Sequence, residues 1–261
     1  MNDVLHNDRV RAEIDPTRGA RLVSLVIDGF EVLAHAEDPS VDPDIADGCF
    51  PMVPWAGRVR DGLLRDGSGV HQLPQTDGPN ALHGLGHVAA WQAVAEGDYR
   101  LGIGAPWPTS GTAALTYRLL DDGVSIELGW DDGTDGPCSI GLHPWFARRL
   151  SAGEEAQLSL GATAMVERGP DGLPTGRLVD PTPGPWDDCF RVEGSPVLTW
   201  PGALELTLSA ATPWWVVYDQ PAGTICVEPQ TAPPDAFDHA ALQPSGPWPH
   251  TVRLDVTGRA L

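Results

Sequence analysis

Nowhere in this chain of 261 residues does an apolar pattern at helical spacing run past about ten positions, a short run for a globular helix. Breakers take the place of long helices: 30 Gly and 26 Pro, scattered without a collagen period or a low-complexity stretch. A chain punctuated so often reads as many short strands joined by turns. With 41% hydrophobic residues over that length it buries a substantial core without staples. Neither a repeat nor a linker divides it, so residues 1–261 read as one all-β domain with few short helices.

Two hairpins are legible. Residues 9–14 alternate polar and apolar, residues 21–27 follow, and Asp28-Gly29 turns the chain into residues 30–33. Residues 113–120, a turn at Asp122-Gly123 and residues 124–130 repeat the pattern with period-2 alternation. Further strand signals fall at 204–209, 214–219, 224–228 and 250–256. Residues 35–48 are acidic and turn-rich, and 153–176 mix turns with short strands.

The formal charge of −20 argues against nucleic acid, against an anionic membrane surface and against a generally anionic substrate. Ten tryptophans offer stacking area and indole N–H groups that suit sugar faces, although most are expected in the core. Cys49, Cys138, Cys189 and Cys226 form no C-x-x-C pair and read as free thiols, with neither a zinc ribbon nor a redox motif. The first ten residues lack a basic and apolar leader, and no apolar run is long enough to span a bilayer, so the expected location is cytoplasmic.

The stretch with most chemical promise is 224–235. Ile225 and Val227 are β-branched on one face, while Pro229, Pro233 and Pro234 withhold ladder donors, so the chain is expected to leave the sheet just after Glu228. A carboxylate on a stiff strand end suits a general base; a solvated edge glutamate is the plain alternative. His143 precedes Pro144, which biases it to extended geometry, with Trp145 and Phe146 behind it; a core histidine is the alternative. In 49–62, prolines bracket an apolar run before Arg58 and Arg60, which reads as a charged loop whose arginines pair with surface carboxylates or face a ligand. His83 and His87 have the spacing of two metal ligands on a helix turn, but Gly84 and Gly86 lie between them and no Glu follows His83, so no metal is expected. Asp187 and Asp188 lie between aromatic residues, as a turn or as ligands.

In chain order, Gly19-Ala20-Arg21-Leu22-Val23-Ser24-Leu25, Phe50-Pro51-Met52-Val53-Pro54-Trp55-Ala56-Gly57-Arg58-Val59, Asn80-Ala81-Leu82-His83-Gly84, Gly141-Leu142-His143-Pro144-Trp145-Phe146, Trp186-Asp187-Asp188-Cys189-Phe190 and Val227-Glu228-Pro229-Gln230-Thr231 resemble the aldose 1-epimerase (galactose mutarotase) family. The resemblance covers nearly the whole chain, whose length matches the shorter bacterial branch. It implies a large antiparallel β-sandwich, the galactose mutarotase-like supersandwich, whose concave face binds one monosaccharide without cofactor or metal. It also implies that Glu228 is the general base and His143 the general acid, with His83, Arg58 and Asp187 holding the ring oxygen and hydroxyls. The family commonly has Asn where this chain has Gly57, and the choice between Asp187 and Asp188 stays open.

Anomer interconversion needs a proton taken from the C1 hydroxyl and one given to the ring oxygen. A carboxylate and an imidazolium do both, and with reference values near 4.3 and 6.5 those states coexist in mildly acidic to neutral solution. The expected substrate is a free hexose or pentose. A hexose 6-phosphate held by Arg58, Arg60 and Arg65, a glycoside hydrolase using Glu228 with Asp187, and a non-catalytic carbohydrate-binding protein are the alternatives. A monomer and a homodimer are both open.

Overall fold

The structure, a computed structural model, describes residues 2–35 and 41–261; of the acidic stretch 35–48, residues 36–40 lie outside the described residues. Among the described residues the helices are three single 3-10 turns, Pro43–Ile45, Arg60–Gly62 and Ala236–Asp238. Among the described residues no helix is long and apolar enough to cross a membrane.

Two large antiparallel sheets carry the fold. The first, of eleven strands, runs Asp3–His6, Val10–Asp15, Arg21–Ile27, Cys49–Met52, Gly141–Ala147, Thr224–Gln230, Trp214–Tyr218, Asp187–Val192, Ala162–Arg168, Pro174–Val179, with Phe30–Glu31 added on Arg21–Ile27. The second, of eight, runs Gln92–Ala95, Asp98–Ile103, Gly111–Leu120, Gly123–Asp131, Thr251–Ala260, Leu204–Ala210, Val197–Trp200, Gln157–Ser159. Leu142, Phe146, Ile225 and Val227 of the first sheet share one core with Leu128, Leu206 and Leu254 of the second. Each such side chain contributes about 1.5–3 kcal/mol when fully buried. Seven of the ten tryptophans are buried.

Alternation explains the central strand Thr224–Gln230, which is buried along its whole length. Ile225 and Val227 face the core between the sheets, so Cys226, Glu228 and Gln230 point to the other side. The expectation that the chain leaves the sheet after Glu228 is wrong: the strand continues through Pro229 to Gln230. Its pairing with Gly141–Ala147 holds at Gly141/Gln230 and at Trp145/Cys226 and lapses between them, where Pro144 and Pro229 each lack a donor. Its other neighbour pairs without a break, from Trp214/Gln230 to Tyr218/Cys226, and keeps the strand in the sheet. Glu228 is therefore a central-strand residue, 2% exposed, and not a solvated edge glutamate.

The first hairpin turns at Asp28-Gly29, both at positive φ, with Ile27 paired to Phe30. In the second hairpin Leu120 pairs with Gly123, so the turn is Asp121-Asp122 rather than Asp122-Gly123. Gly123 lies inside its strand, where a Cβ would meet the Val256 carbonyl oxygen at 1.8 Å. Two expected loops are also strands. Cys49–Met52 joins the first sheet despite Pro51, opposite Leu142, and Asp187–Val192 pairs with Trp214–Tyr218.

Candidate active site

A cavity of about 420 Å³ opens on the face of the first sheet turned away from the shared core, and Arg58, His83, His143, Asp187 and Glu228 all line it. Four elements bring these residues together. Glu228 and His143 come from adjacent central strands, and the register on either side of the lapse sets them opposite each other. Asp187 opens the strand Asp187–Val192. Arg58 lies on a two-residue strand outside the large sheets, paired with Ala81–Leu82. That ribbon presents His83 one residue later.

Glu228 Oε1 lies 3.2 Å from His143 Nε2, and Gln230 Nε2 donates to Glu228 Oε2 at 3.3 Å. Burial, reinforced by Asp187, holds the Glu228 carboxyl well above the usual range, against Gln230 and Arg58. Burial, then the Arg21 guanidinium, pushes His143 down to about 3. Both displacements act against charge, so the two groups hold one proton in common, resting on the carboxyl side. The reference values, which leave Glu228 ionised and His143 half protonated, do not describe this buried pair.

The imidazole is clamped in a stack. Phe50 lies 4.5 Å from His143 at 25°, and Trp145 lies 5.3 Å away on a plane tilted by 20°. Beyond Phe50, the guanidinium of the fully buried Arg21 stacks at 4.8 Å, itself tied to the Asp47 carboxylate and the Asp44 carbonyl. Trp145 is the one tryptophan lining the cavity among the described residues.

His83 is buried at φ +57, in the left-handed region that His enters more readily than most residues. Its Nδ1 accepts the Gly57 N–H at 3.3 Å, and its own N–H donates to the Gly57 carbonyl at 3.1 Å. Burial, then His143, His87 and Arg58, pushes its pKa well down. The ring is thus neutral with its proton on Nε2, a hydrogen-bond donor and not a cation. His87, held at about 4 mainly by burial, is neutral too.

Gly57 answers the question its motif raises. Its φ is +66, and a Cβ there would lie 2.7 Å from Pro234 Cγ. Asn tolerates such a φ, but in this chain Pro234 occupies the space. Gly57→Asn is expected to cost about 1–3 kcal/mol through overpacking. A urea midpoint equal to that of the parent would show that Pro234 yields freely.

Arg58 Nε donates to Asp77 Oδ2 at 2.5 Å, and its Nη1 lies 3.5 Å from Asp187 Oδ2. Sequence reasoning missed Arg168, whose Nη1 lies 3.1 Å from Asp187 Oδ2 and whose Nε lies 2.9 Å from Asp188 Oδ1. Both aspartates line the cavity, with Asp187 the one linked to Arg58. Arg60 turns instead to Asp171 and Asp235, and Arg65 to Asp238, so Arg58, Arg60 and Arg65 do not assemble.

The profile of the family described as aldose 1-epimerase matches residues 4–255. The chain belongs to this family. Among solved structures, a galactose mutarotase-like protein from Clostridium acetobutylicum superposes with a TM-score of 0.82 at 14% identity, over 99% of this chain and 95% of that one. An aldose epimerase homologue from C. elegans gives 0.80 at 16% identity, over 100% and 99%. A galactose 1-epimerase from Lactobacillus acidophilus gives 0.78 at 18% identity, over 98% and 93%. At these identities the likeness is one of fold, and it agrees with the sandwich the resemblance implies. No curated protein matches the sequence.

Proposed function

We propose that this chain of the aldose 1-epimerase family interconverts the α and β anomers of a free, neutral aldose. The observation that carries the reading is the buried Glu228–His143 pair, 3.2 Å apart, lining the same cavity as Arg58, His83 and Asp187. A module that only binds sugar has no use for an acid/base pair taken out of water, which costs stability. Moving the shared proton across the 3.2 Å contact yields carboxylate and imidazolium with no change in net charge. In that state Glu228 takes the C1 hydroxyl proton while His143 gives its proton to the ring oxygen, and the bond from C1 to the ring oxygen breaks to an open aldehyde. Rotation about C1–C2 presents the other face. Closure then reverses both transfers, so protons balance over the cycle. His83 and Arg58 are donors fixed before the reaction, which stabilise negative charge developing on oxygen without reorganising.

Polarimetry of freshly dissolved glucose and galactose tests the reading. Acceleration beyond the spontaneous rate is expected, and none with either sugar or with a panel of pentoses would remove it.

The neutral substrate follows from the charges. Arg58 and Arg168, the two arginines lining the cavity, each face carboxylates of Asp77, Asp187 or Asp188. A phosphate ester meets these carboxylates as well as the arginines. We expect kcat/KM for glucose or galactose to exceed that for glucose 6-phosphate by about tenfold or more, a difference of about 1.4 kcal/mol. A preference for the phosphate that fades with salt would show a screened cationic contact instead.

A further inference from the structure

Three chemically different donors converge beneath the cavity. Cys226, Glu228 and His143 each offer one ligand atom, all three residues are buried, and these atoms lie within 4.8 Å of one another. Two of them, Cys226 and Glu228, come from alternate positions of one strand and so share a face, and His143 comes from the strand beside it. Gln230, next on that face, has a buried carbonyl oxygen with no hydrogen-bond partner while its amide donates to Glu228.

We infer that Cys226, Glu228 and His143 bind a thiophilic divalent cation, of which Zn²⁺ is the type. Thiolate, imidazole and carboxylate are the ligands Zn²⁺ takes, and its bond lengths of about 2.0–2.3 Å put tetrahedral ligand atoms roughly 3.3–3.6 Å apart. His143 Nε2 and Glu228 Oε1 are already 3.2 Å apart, so the thiol sulfur is the atom that closes in. A softer ligand set than three oxygens or nitrogens also disfavours Mg²⁺ and Ca²⁺. Charge balances: a thiol and a Glu–His pair sharing one proton become thiolate, carboxylate and neutral imidazole around a dication. Two protons leave to solvent, and the buried site is neutral before and after. No redox step is involved.

A cation held there occupies both groups that the anomer reading assigns to proton transfer, so metal and sugar exclude one another. The binding itself rests on the three donors and not on that reading.

The test is calorimetric titration of ZnCl₂ into the intact protein after chelator treatment, run beside MgCl₂ and repeated with galactose present. One equivalent of Zn²⁺ is expected to bind at micromolar or lower concentration, with no heat from Mg²⁺. Cys226→Ala is expected to weaken binding by at least about tenfold, since even the outer partners of metal ligands are worth about 10–100-fold. Cys226→Ser serves the same comparison where the Ala variant does not fold. Cys189→Ala, at the cysteine that lines the cavity, is expected to bind as the parent does. Zn²⁺ is also expected to slow mutarotation in the parent and not in Cys226→Ala, each protein being measured against its own metal-free rate. Absence of binding at millimolar Zn²⁺, or equal affinity with and without the Cys226 thiol, overturns the proposal. Binding that depends on Cys226 without any mutarotase activity would leave the metal site standing and remove the anomer reading.

Discussion

Glu228→Gln is expected to lower kcat for mutarotation by roughly 10²-fold or more, the usual scale for loss of a positioned base. The amide keeps the shape and a hydrogen-bonding oxygen beside Gln230 but accepts no proton, so sugar binding should survive. The same variant has a stability signature. Because the folded Glu228 carboxyl is raised above its ordinary value by burial, its contribution to stability is present at low pH and is lost as pH rises through the folded value. Glutamine has no such dependence. The melting temperature of the variant, relative to the parent, should therefore climb as pH rises above the ordinary carboxylate value towards the raised Glu228 value. Mutarotation near the parental rate would sink the assignment of the base, and a variant melting temperature that falls relative to the parent's as pH rises would sink the account of its burial.

His143→Asn is expected to cost roughly 10²- to 10⁴-fold in kcat, the usual scale for loss of a positioned general acid. The parent's pH profile separates an acid role from a packing role. The proposed reaction needs the pair to hold a single shared proton. A second proton arrives only as pH falls to the lowered His143 value of about 3, and the shared one departs only as pH rises through the raised Glu228 value. Charged and titratable groups around the imidazole include Glu228, His83, His87 and, behind Phe50, Arg21. Burial and Arg21 both favour the neutral ring, so the acid limb of kcat/KM, corrected for the spontaneous reaction, should fall towards about pH 3 and the opposite limb should follow the raised Glu228 value. A falling limb near 6.5, the value of an ordinary histidine, would show that the pair is not coupled in this way.

Local pattern carried the parts of this molecule that local physics decides. Asp28-Gly29 takes positive φ at both residues, so its hairpin was legible from two letters between alternating runs. The five residues suggested by family motifs lie around one cavity. What escaped depends on strands far apart in sequence. Pro229 read as the end of a strand because a single sequence does not reveal that Trp214–Tyr218 supports it from the other side. Arg168 lies within the turn-rich stretch 153–176, and its two aspartate partners come from a strand it reaches only through sheet pairing. The reference pKa values failed for a related reason: burial of Glu228 and His143 is a property of the whole sheet and not of their neighbours in sequence.

The two halves of the cavity rest on supports of different rigidity. Glu228 and His143 sit mid-sheet with strands on both sides, whereas Arg58 rides on a two-residue ribbon and Asp77 on a connecting segment. Amide hydrogens of the central strands should exchange only on global unfolding, and those near 76–80 through small local openings. A sugar that orders the rim would then slow exchange there and leave the floor unchanged. In the proposed reaction, sequence drift in the rim segments would retune which hydroxyl pattern is accepted, while the Glu228–His143 contact stays anchored in the sheet.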